Sequence, residues 1–376
     1  MSQEEAPGVL QPGQVIKPVM EEENAKALAL KLFGLTVTSI KELNSYDDRN
    51  FLIQVESDST NPHITAGRAD GYVLKVTNTL DSKNAGVMAA QNEMMLFLHA
   101  RGIRVPKPER NVTGSHLIFA EISGDKAGEA GGENIVRLLT FLPGKILYQV
   151  PYTAQLFFEG GAFVARMDNE LKDFTNEALR QRRFIWSLES APGLSKFLFA
   201  VNEGRRQLVE EVLEAWQKIV VPLLPTLERG FIHGDPNEQN IIVSATDEDP
   251  STYHIDGLID FGDIHHSCYV FELAIIIMYL MLEVRIMSPN EVAGHILAGY
   301  ITQRAVTEDE WSILKVCIAA RFAQSLVLGA YSYMQDPGNE YLLTSAARGW
   351  EVLDSFWQTP EDQLLAQWKS TLKSYQ

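Results

Sequence analysis

The sequence predicts an α+β protein built as a small antiparallel-sheet lobe followed by a larger, mainly helical lobe. Three observations predict it: short strand-like runs crowd the first 141 residues, Leu142-Pro143-Gly144 breaks the composition, and apolar repeats at helical spacing dominate the rest of the chain. A chain of 376 residues can bury two cores, and 45% hydrophobic with 22% charged residues is ordinary for a globular protein. The expected division is a leader over residues 1–20, a first lobe over 21–141 and a second over 142–376.

Taken in order, the leader is polar and punctuated by Pro7, Gly8, Pro12, Gly13 and Pro18. It lacks a basic start and an apolar segment, so it reads as disordered and not as a secretory signal; a cytoplasmic location is expected. Leu28 and Leu32 predict a helix from Glu21 to Phe33, stopped by Gly34. Strands are predicted from Leu35 to Leu43, Phe51 to Glu56 and Tyr72 to Thr77, with a polar insertion from Ser57 to Asp70 before the last. Ser82 is expected to cap a helix running to about Arg101 and ending at Gly102. Strands near Leu117–Ile122 and Asn134–Phe141 flank a glycine-rich loop, Gly124 to Gly132, which lacks the spacing of a nucleotide fingerprint and reads as a hairpin connection. Helices are predicted over 153–168, 203–227, 268–284, 289–300, 307–334, 338–357 and 361–374. The run from Tyr269 to Leu282 is short for a membrane span and contains Glu272, so it reads as a core helix.

The chemistry is concentrated in residues 233–262. His233-Gly234-Asp235-Pro-Asn-Glu-Gln-Asn240 leaves one short apolar run, Gly230-Phe231-Ile232, and enters another, Ile241-Ile242-Val243; Asp260-Phe261-Gly262 follows. An Asp with an Asn five positions on, then Asp-Phe-Gly, is how kinase-like phosphotransferases present a catalytic base and hold a metal. Asp235 is therefore the expected base, and Asn240 and Asp260 the expected ligands of Mg²⁺. Coincidence at these fixed positions is on the order of one in a hundred thousand. A turn rich in Asp and Asn would explain neither His233 nor the second carboxylate.

Such chemistry also needs a cation on the donor's phosphates. Lys75, in Tyr72-Val73-Leu74-Lys75-Val76, is the candidate, and Glu93 on the following helix is the expected carboxylate behind it. The turn Ser45-Tyr46-Asp47-Asp48-Arg49-Asn50 either covers phosphates or is an ordinary polar hairpin; it has no glycine, and no Ala-Pro-Glu follows the Asp-Phe-Gly, which argues against a protein kinase and for a small-molecule acceptor. His233 is read as a brace for the loop, His265 and His266 as structural or surface residues, and Trp186 as a core residue before a cation–π cap. Acidic residues outnumber basic ones by 49 to 32, for a net charge of −17. That field disfavours nucleic acid and anionic membranes and gives mild support to a cationic substrate. Cys268 and Cys317 lie in apolar helices without metal spacing and read as free thiols.

With these residues in place, the segments from Tyr46 to Phe51, Val136 to Gly144, Phe231 to Val243 and Gly257 to Leu282 resemble the aminoglycoside phosphotransferase family of small-molecule kinases, a likeness spanning the chain from about Glu21 onward. The resemblance implies a bilobal protein-kinase-like fold, with the nucleotide base held by main-chain groups around Leu139, Thr140 and Phe141. It implies Asp235 as base, Asn240 and Asp260 on Mg²⁺, Lys75 on the donor phosphates with Glu93 behind it, and Asp263 as a further metal or substrate residue. The implied reaction moves the γ-phosphoryl of GTP, with ATP as alternative, to the hydroxyl of 5-hydroxy-L-lysine. Other acceptors of the choline, homoserine or aminoglycoside type remain open, as does a catalytically inactive scaffold.

Overall fold

The computed structural model describes residues 16–45, 47–64, 67–122, 132–335 and 346–375. The expectations for residues 1–15, for Tyr46, for the glycine-rich loop before Gly132 and for the start of the helix at 338 lie outside them. The chain divides into two compact units, one ending at Pro143 and one beginning at Gly144.

In the earlier unit, α1 (Glu22–Phe33) forms because Ala25, Ala29 and Phe33 recur every fourth residue and bury one stripe. Gly34 ends it in the left-handed region at φ 63°, a conformation that costs glycine nothing. Strands β1 (Leu35–Leu43), β2 (Arg49–Ser59) and β3 (Tyr72–Val76) precede α2 (Ala85–Ala100), and β4 (Pro108–Glu109), β5 (Ile118–Ile122) and β6 (Gly132–Thr140) complete the unit. They make one antiparallel sheet in the order β1-β2-β3-β6-β4, with β5 also paired to β6. Along β3, Tyr72, Leu74 and Val76 are buried in a core with Ala25, Ala29 and Phe33 of α1. The strand period then puts Lys75 on the opposite face.

Two expectations are corrected here. Residues 16–20 are not part of a disordered leader: Ile16 and Met20 are buried, the Ile16 carbonyl accepts from Thr79 N at 3.1 Å, and the Pro18 carbonyl accepts from Arg49 Nε at 3.1 Å. The apolar side chains at 16 and 20 outweigh the Pro-rich composition around them. The cap of α2 is Asn84, whose side chain accepts from Val87 N at 3.3 Å. Ser82 instead ties two strand ends, donating to the Thr77 carbonyl at 3.3 Å and accepting from Ile135 N at 2.9 Å.

The later unit holds β7 (Lys145–Ile146), α3 (Ala154–Glu170), α4 (Glu177–Gln181), α5 (Glu203–Ala215), β8 (Arg229–Ile232), β9 (Ile241–Ala245), β10 (Tyr253–Leu258) and β11 (His265–Cys268). It continues with α6 (Tyr269–Glu283), α7 (Pro289–Gln303), α8 (Glu308–Gln335), α9 (Ala346–Gln358) and α10 (Glu361–Lys373). A 3₁₀ run at Leu188–Ala200 has no counterpart among the predicted elements, and the helix expected to reach 227 ends at Ala215, followed by a π turn at Trp216–Val220 and a 3₁₀ turn at Val221–Leu223. Pro222, without an N–H, accounts for the break.

Helix α6 is apolar all round and buried on almost every side, so it forms the unit's core with Glu272 as a charge inside it. Helices α3 and α7 cross closely: a Cβ at Gly299 would lie 1.7 Å from the Phe158 carbonyl oxygen. Helix α8 is apolar and long enough to cross a membrane by length and composition, yet 78% of its most apolar window is buried inside the protein. The strands divide the motif's ends. Strand β8 pairs with β11, whereas β9 lies between β7 and β10, so the Asp235 loop runs from one small sheet to another.

Candidate active site

The loop from β8 to β9 turns at Gly234, whose φ of 83° belongs to the left-handed region. A side chain there would also clash, since a Cβ would sit 2.6 Å from the Asp263 carbonyl oxygen. The loop's two preceding amides are gripped from below: His233 N and Gly234 N each donate at 2.8 Å to one oxygen of Glu272. Burial pushes the Glu272 carboxyl up to about 7, while these two N–H bonds and Arg321 oppose the shift. His233 braces the loop as expected: its Nε2–H donates to the Ile259 carbonyl at 3.1 Å and its Nδ1 accepts from Asp235 N at 3.3 Å. Burial lowers His233 to about 4, so the ring is neutral at physiological pH.

Asp235 is held at both oxygens. Oδ2 accepts from Asn237 Nδ2 at 2.8 Å and Asn240 Nδ2 at 3.1 Å, and Oδ1 faces Arg321 Nη2 at 3.2 Å. Burial raises its carboxyl well above the usual range; Arg321 pulls it back, and the charges of Asp263 and Asp260 push it up again. A second bond, from Asn240 Nδ2 to the Asp235 carbonyl at 3.0 Å, fixes the Asn240 amide and leaves Oδ1 as its acceptor atom. The Asn240 carbonyl accepts from Ile259 N at 2.9 Å, which seats Asp260 beside Asn240. Asp260 is the one non-glycine among the described residues with positive φ, at 62°. A strained backbone of this kind persists where the surroundings dictate the position of a side chain. Arg182 Nη1 donates to the Gly262 and Ile264 carbonyls at 2.7 and 2.8 Å, and the Asp263 carbonyl accepts from His265 Nδ1 at 2.8 Å.

Asp235, Asn240, Asp260 and Asp263 are thus brought together in the later unit. No group of three His, Cys, Asp or Glu among the described residues would hold a metal alone. The Asn240 and Asp260 oxygens are hard donors of the kind that would suit a divalent cation. His265 is buried against Asp263, while His266 faces Arg180.

Lys75, Glu93, Leu139, Thr140 and Phe141 lie in the earlier unit. The Lys75 ammonium is 2.9 Å from Asp48 Oδ2. Burial works to raise the Asp48 carboxyl, but Lys75 and the Asn78 N–H outweigh it and hold the net value below the ordinary one. Asp48 thereby gives the glycine-free turn a role the sequence left open: it orients Lys75. Glu93 is exposed on α2, the helix whose Gln91 accepts from Arg137 at 2.9 Å beside Lys75 in the sheet register. Thr140 N donates to the Lys107 carbonyl at 2.9 Å and Phe141 N to the Gly71 carbonyl at 3.3 Å. A cavity of about 280 Å³ is lined there by Thr140, Phe141, Leu142 and Pro143 together with Arg104 and Lys107.

Sequence reasoning missed Arg321, Tyr279 and Gln324. Arg321 is 1% exposed and joins Asp235, the Tyr279 hydroxyl at 3.1 Å, Gln324 Oε1 at 2.8 Å and the Trp186 carbonyl at 2.9 Å. Trp186 is half-buried and not a core residue, its ring 5.5 Å from the Arg321 guanidinium carbon. A lone arginine inside an apolar helix was the available signal.

The sequence matches the Phosphotransferase enzyme family over residues 40–310. It is 35% identical to the hydroxylysine kinase of Bos taurus over 96% of this chain and 95% of that one, and 34% identical to that of Mus musculus with the same coverage. Among solved structures it resembles an amicoumacin kinase in complex with AMP-PNP, Ca²⁺ and Ami (TM-score 0.66, 18% identity, 92% and 97% covered). It also resembles a microcompartment-associated aminopropanol kinase (TM-score 0.65, 16% identity, 90% and 98% covered). The fold is therefore kinase-like, an antiparallel-sheet unit joined to a mainly helical one, and the acceptor group is a hydroxyl. This chain belongs to the Phosphotransferase enzyme family, that of the aminoglycoside phosphotransferases, as a small-molecule kinase related to the hydroxylysine kinases.

Proposed function

We propose that this enzyme transfers the γ-phosphoryl group of GTP to the side-chain hydroxyl of 5-hydroxy-L-lysine, giving 5-phosphohydroxy-L-lysine. The observation that carries the reading is the meeting of Asp235, Asn240 and Asp260 on one hydrogen-bonded frame, in a chain 35% identical to a hydroxylysine kinase. Asp235 accepts the hydrogen bond of the acceptor hydroxyl and orients its oxygen. As that oxygen bonds to the γ-phosphorus and the bond to the bridging oxygen breaks, the proton passes to Asp235, and the nucleoside diphosphate leaves with the bridging oxygen. The burial that raises the Asp235 carboxyl strengthens it as a base, and the Arg321 guanidinium works against that rise.

Asn240 and Asp260 are the residues we assign to Mg²⁺, which when bound would neutralise phosphate charge. Asp263 is assigned to the metal or the substrate. Lys75 is assigned to the donor phosphates with Glu93 behind it, and Leu139, Thr140 and Phe141 to the nucleotide base. The alternative keeps this chemistry and changes the acceptor to another hydroxylated amine. A cytoplasmic setting is supported by the free, buried thiols of Cys268 and Cys317. The test is a panel of hydroxylated amines assayed with GTP and ATP. Hydroxylysine with GTP is expected to give the highest kcat/KM; turnover of choline or homoserine in its place would overturn the substrate, and transfer only from ATP would overturn the donor.

A further inference from the structure

Close to Asp235 lies a set of polar groups that phosphoryl transfer itself does not use. Glu238 follows the base by three positions on the same loop. Its carbonyl accepts from Tyr148 N at 3.0 Å, which fastens the 3₁₀ turn at Leu147–Gln149 to the loop. One carboxylate oxygen, Oε1, has a long 3.5 Å contact with Gln239 Nε2; the other, Oε2, is buried without a partner. The hydroxyl of Tyr152, four residues beyond Tyr148, is also buried without a partner.

These groups share one neighbourhood. Burial, then the charges of Glu238 and Glu283, push the Tyr152 hydroxyl above its ordinary range. Tyr279, which hydrogen-bonds Arg321, lies within the field of both Asp235 and Glu238. A nearby cation is Arg285, which acts on Glu283 at the end of α6. A buried carboxylate oxygen and a buried hydroxyl, both lacking a donor, are unfavourable until a ligand brings N–H groups. An ammonium brings positive charge and three donors, and no acceptor to conflict with them.

The acceptor proposed above has a matching shape. In 5-hydroxy-L-lysine the carbon bearing the hydroxyl is bonded to the carbon bearing the side-chain ammonium. An enzyme that orients this hydroxyl on Asp235 must place the ammonium a few ångströms away, and Glu238 stands on the same loop. Resting on the hydroxyl-acceptor reading, we propose that Glu238 and Tyr152 receive the ammonium adjacent to the phosphorylated hydroxyl, so that Glu238 selects vicinal amino alcohols over plain alcohols.

The experiment compares kcat/KM for 5-hydroxylysine with that for its analogue lacking the side-chain amine, in wild type, Glu238→Gln and Tyr152→Phe. Wild type is expected to prefer the amine about 100-fold or more. In Glu238→Gln that ratio should collapse to about fivefold or less, mainly through KM for hydroxylysine, and in Tyr152→Phe it should fall about fivefold. Equal losses on both substrates would show that Glu238 only supports the loop and would overturn the inference, as would an undiminished ratio. If Glu238→Gln does not fold, Tyr152→Phe decides by the same ratio. A wild type active on hydroxylysine whose variants keep the preference sinks this inference alone, whereas a wild type that phosphorylates no hydroxylated amine sinks the proposed function with it.

Discussion

Lys75 and Asp235 are held by opposite means. Lys75 sits in a regular strand, where the two-residue period sets its face and a carboxylate from the neighbouring turn, Asp48, takes its ammonium at 2.9 Å. Asp235 sits in an irregular loop with no ladder to place it. Its position depends on a left-handed glycine before it, on the Glu272 carboxylate under the loop, and on Arg321 from 86 residues later. The strand tolerates change because its geometry is repeated by its neighbours. The loop has no such redundancy, and damage to one support should be felt at the proposed base.

The sharpest way to break this contrast is Gly234→Ala. The substitution forces a side chain into positive φ and against the Asp263 carbonyl, so the loop must move. We expect kcat to fall at least about 100-fold, since misplacing a catalytic group by about an ångström costs that much. Activity within threefold of wild type would show that the loop is not the fixed point we take it to be. Glu272→Ala should come next: two buried N–H groups lose their acceptor, at a cost of about 1–3 kcal/mol each, and Tm should drop by several degrees together with kcat. An unchanged Tm would contradict the brace.

The strand side should respond differently. Lys75→Met is expected to raise KM for the nucleotide about tenfold while lowering Tm by only a few degrees, because Asp48 keeps the Asn78 N–H bonds at 2.8 and 3.0 Å. Loss of folding in this variant would place Lys75 among the structural supports.

This contrast also explains which features the sequence displays. The helices and strands are legible because their apolar positions repeat at fixed periods, as Ala25, Ala29 and Phe33 do on α1 and Tyr72, Leu74 and Val76 on β3. Asp235, Asn240 and Asp260 are legible because the chemistry proposed for them needs those residue types at that spacing. Their supports are not. Glu272 and Arg321 carry their meaning in three-dimensional contacts with residues dozens of positions away, and in sequence each is a charged residue among apolar helical neighbours. Ser82 is expected in place of Asn84 because serine, like asparagine, caps helices, and the strand ends that claim the Ser82 hydroxyl are distant in sequence.

A smaller effect concerns pH. Asp168 on α3 is fully buried; burial and then the Glu272 charge raise its carboxyl well above 3.8, with Arg304 opposing. A carboxyl with a higher pKa folded than unfolded stabilises fully below its unfolded value, and that contribution is lost as pH rises toward the folded value. Asp168→Asn, neutral at every pH, should therefore gain Tm relative to wild type as pH goes from 5 to 8. A gain that shrinks over that range would have the wrong sign for this account.

The most direct test of the catalytic frame is the single-turnover rate of Asp235→Asn at saturating GTP, Mg²⁺ and hydroxylysine, with nucleotide affinity measured on the same sample. We predict a rate reduced about 100- to 10,000-fold with nucleotide affinity within threefold of wild type. A rate near that of wild type would mean that the proton leaves the acceptor hydroxyl by another route, and that the carboxylate held by Asn237, Asn240 and Arg321 is not the base.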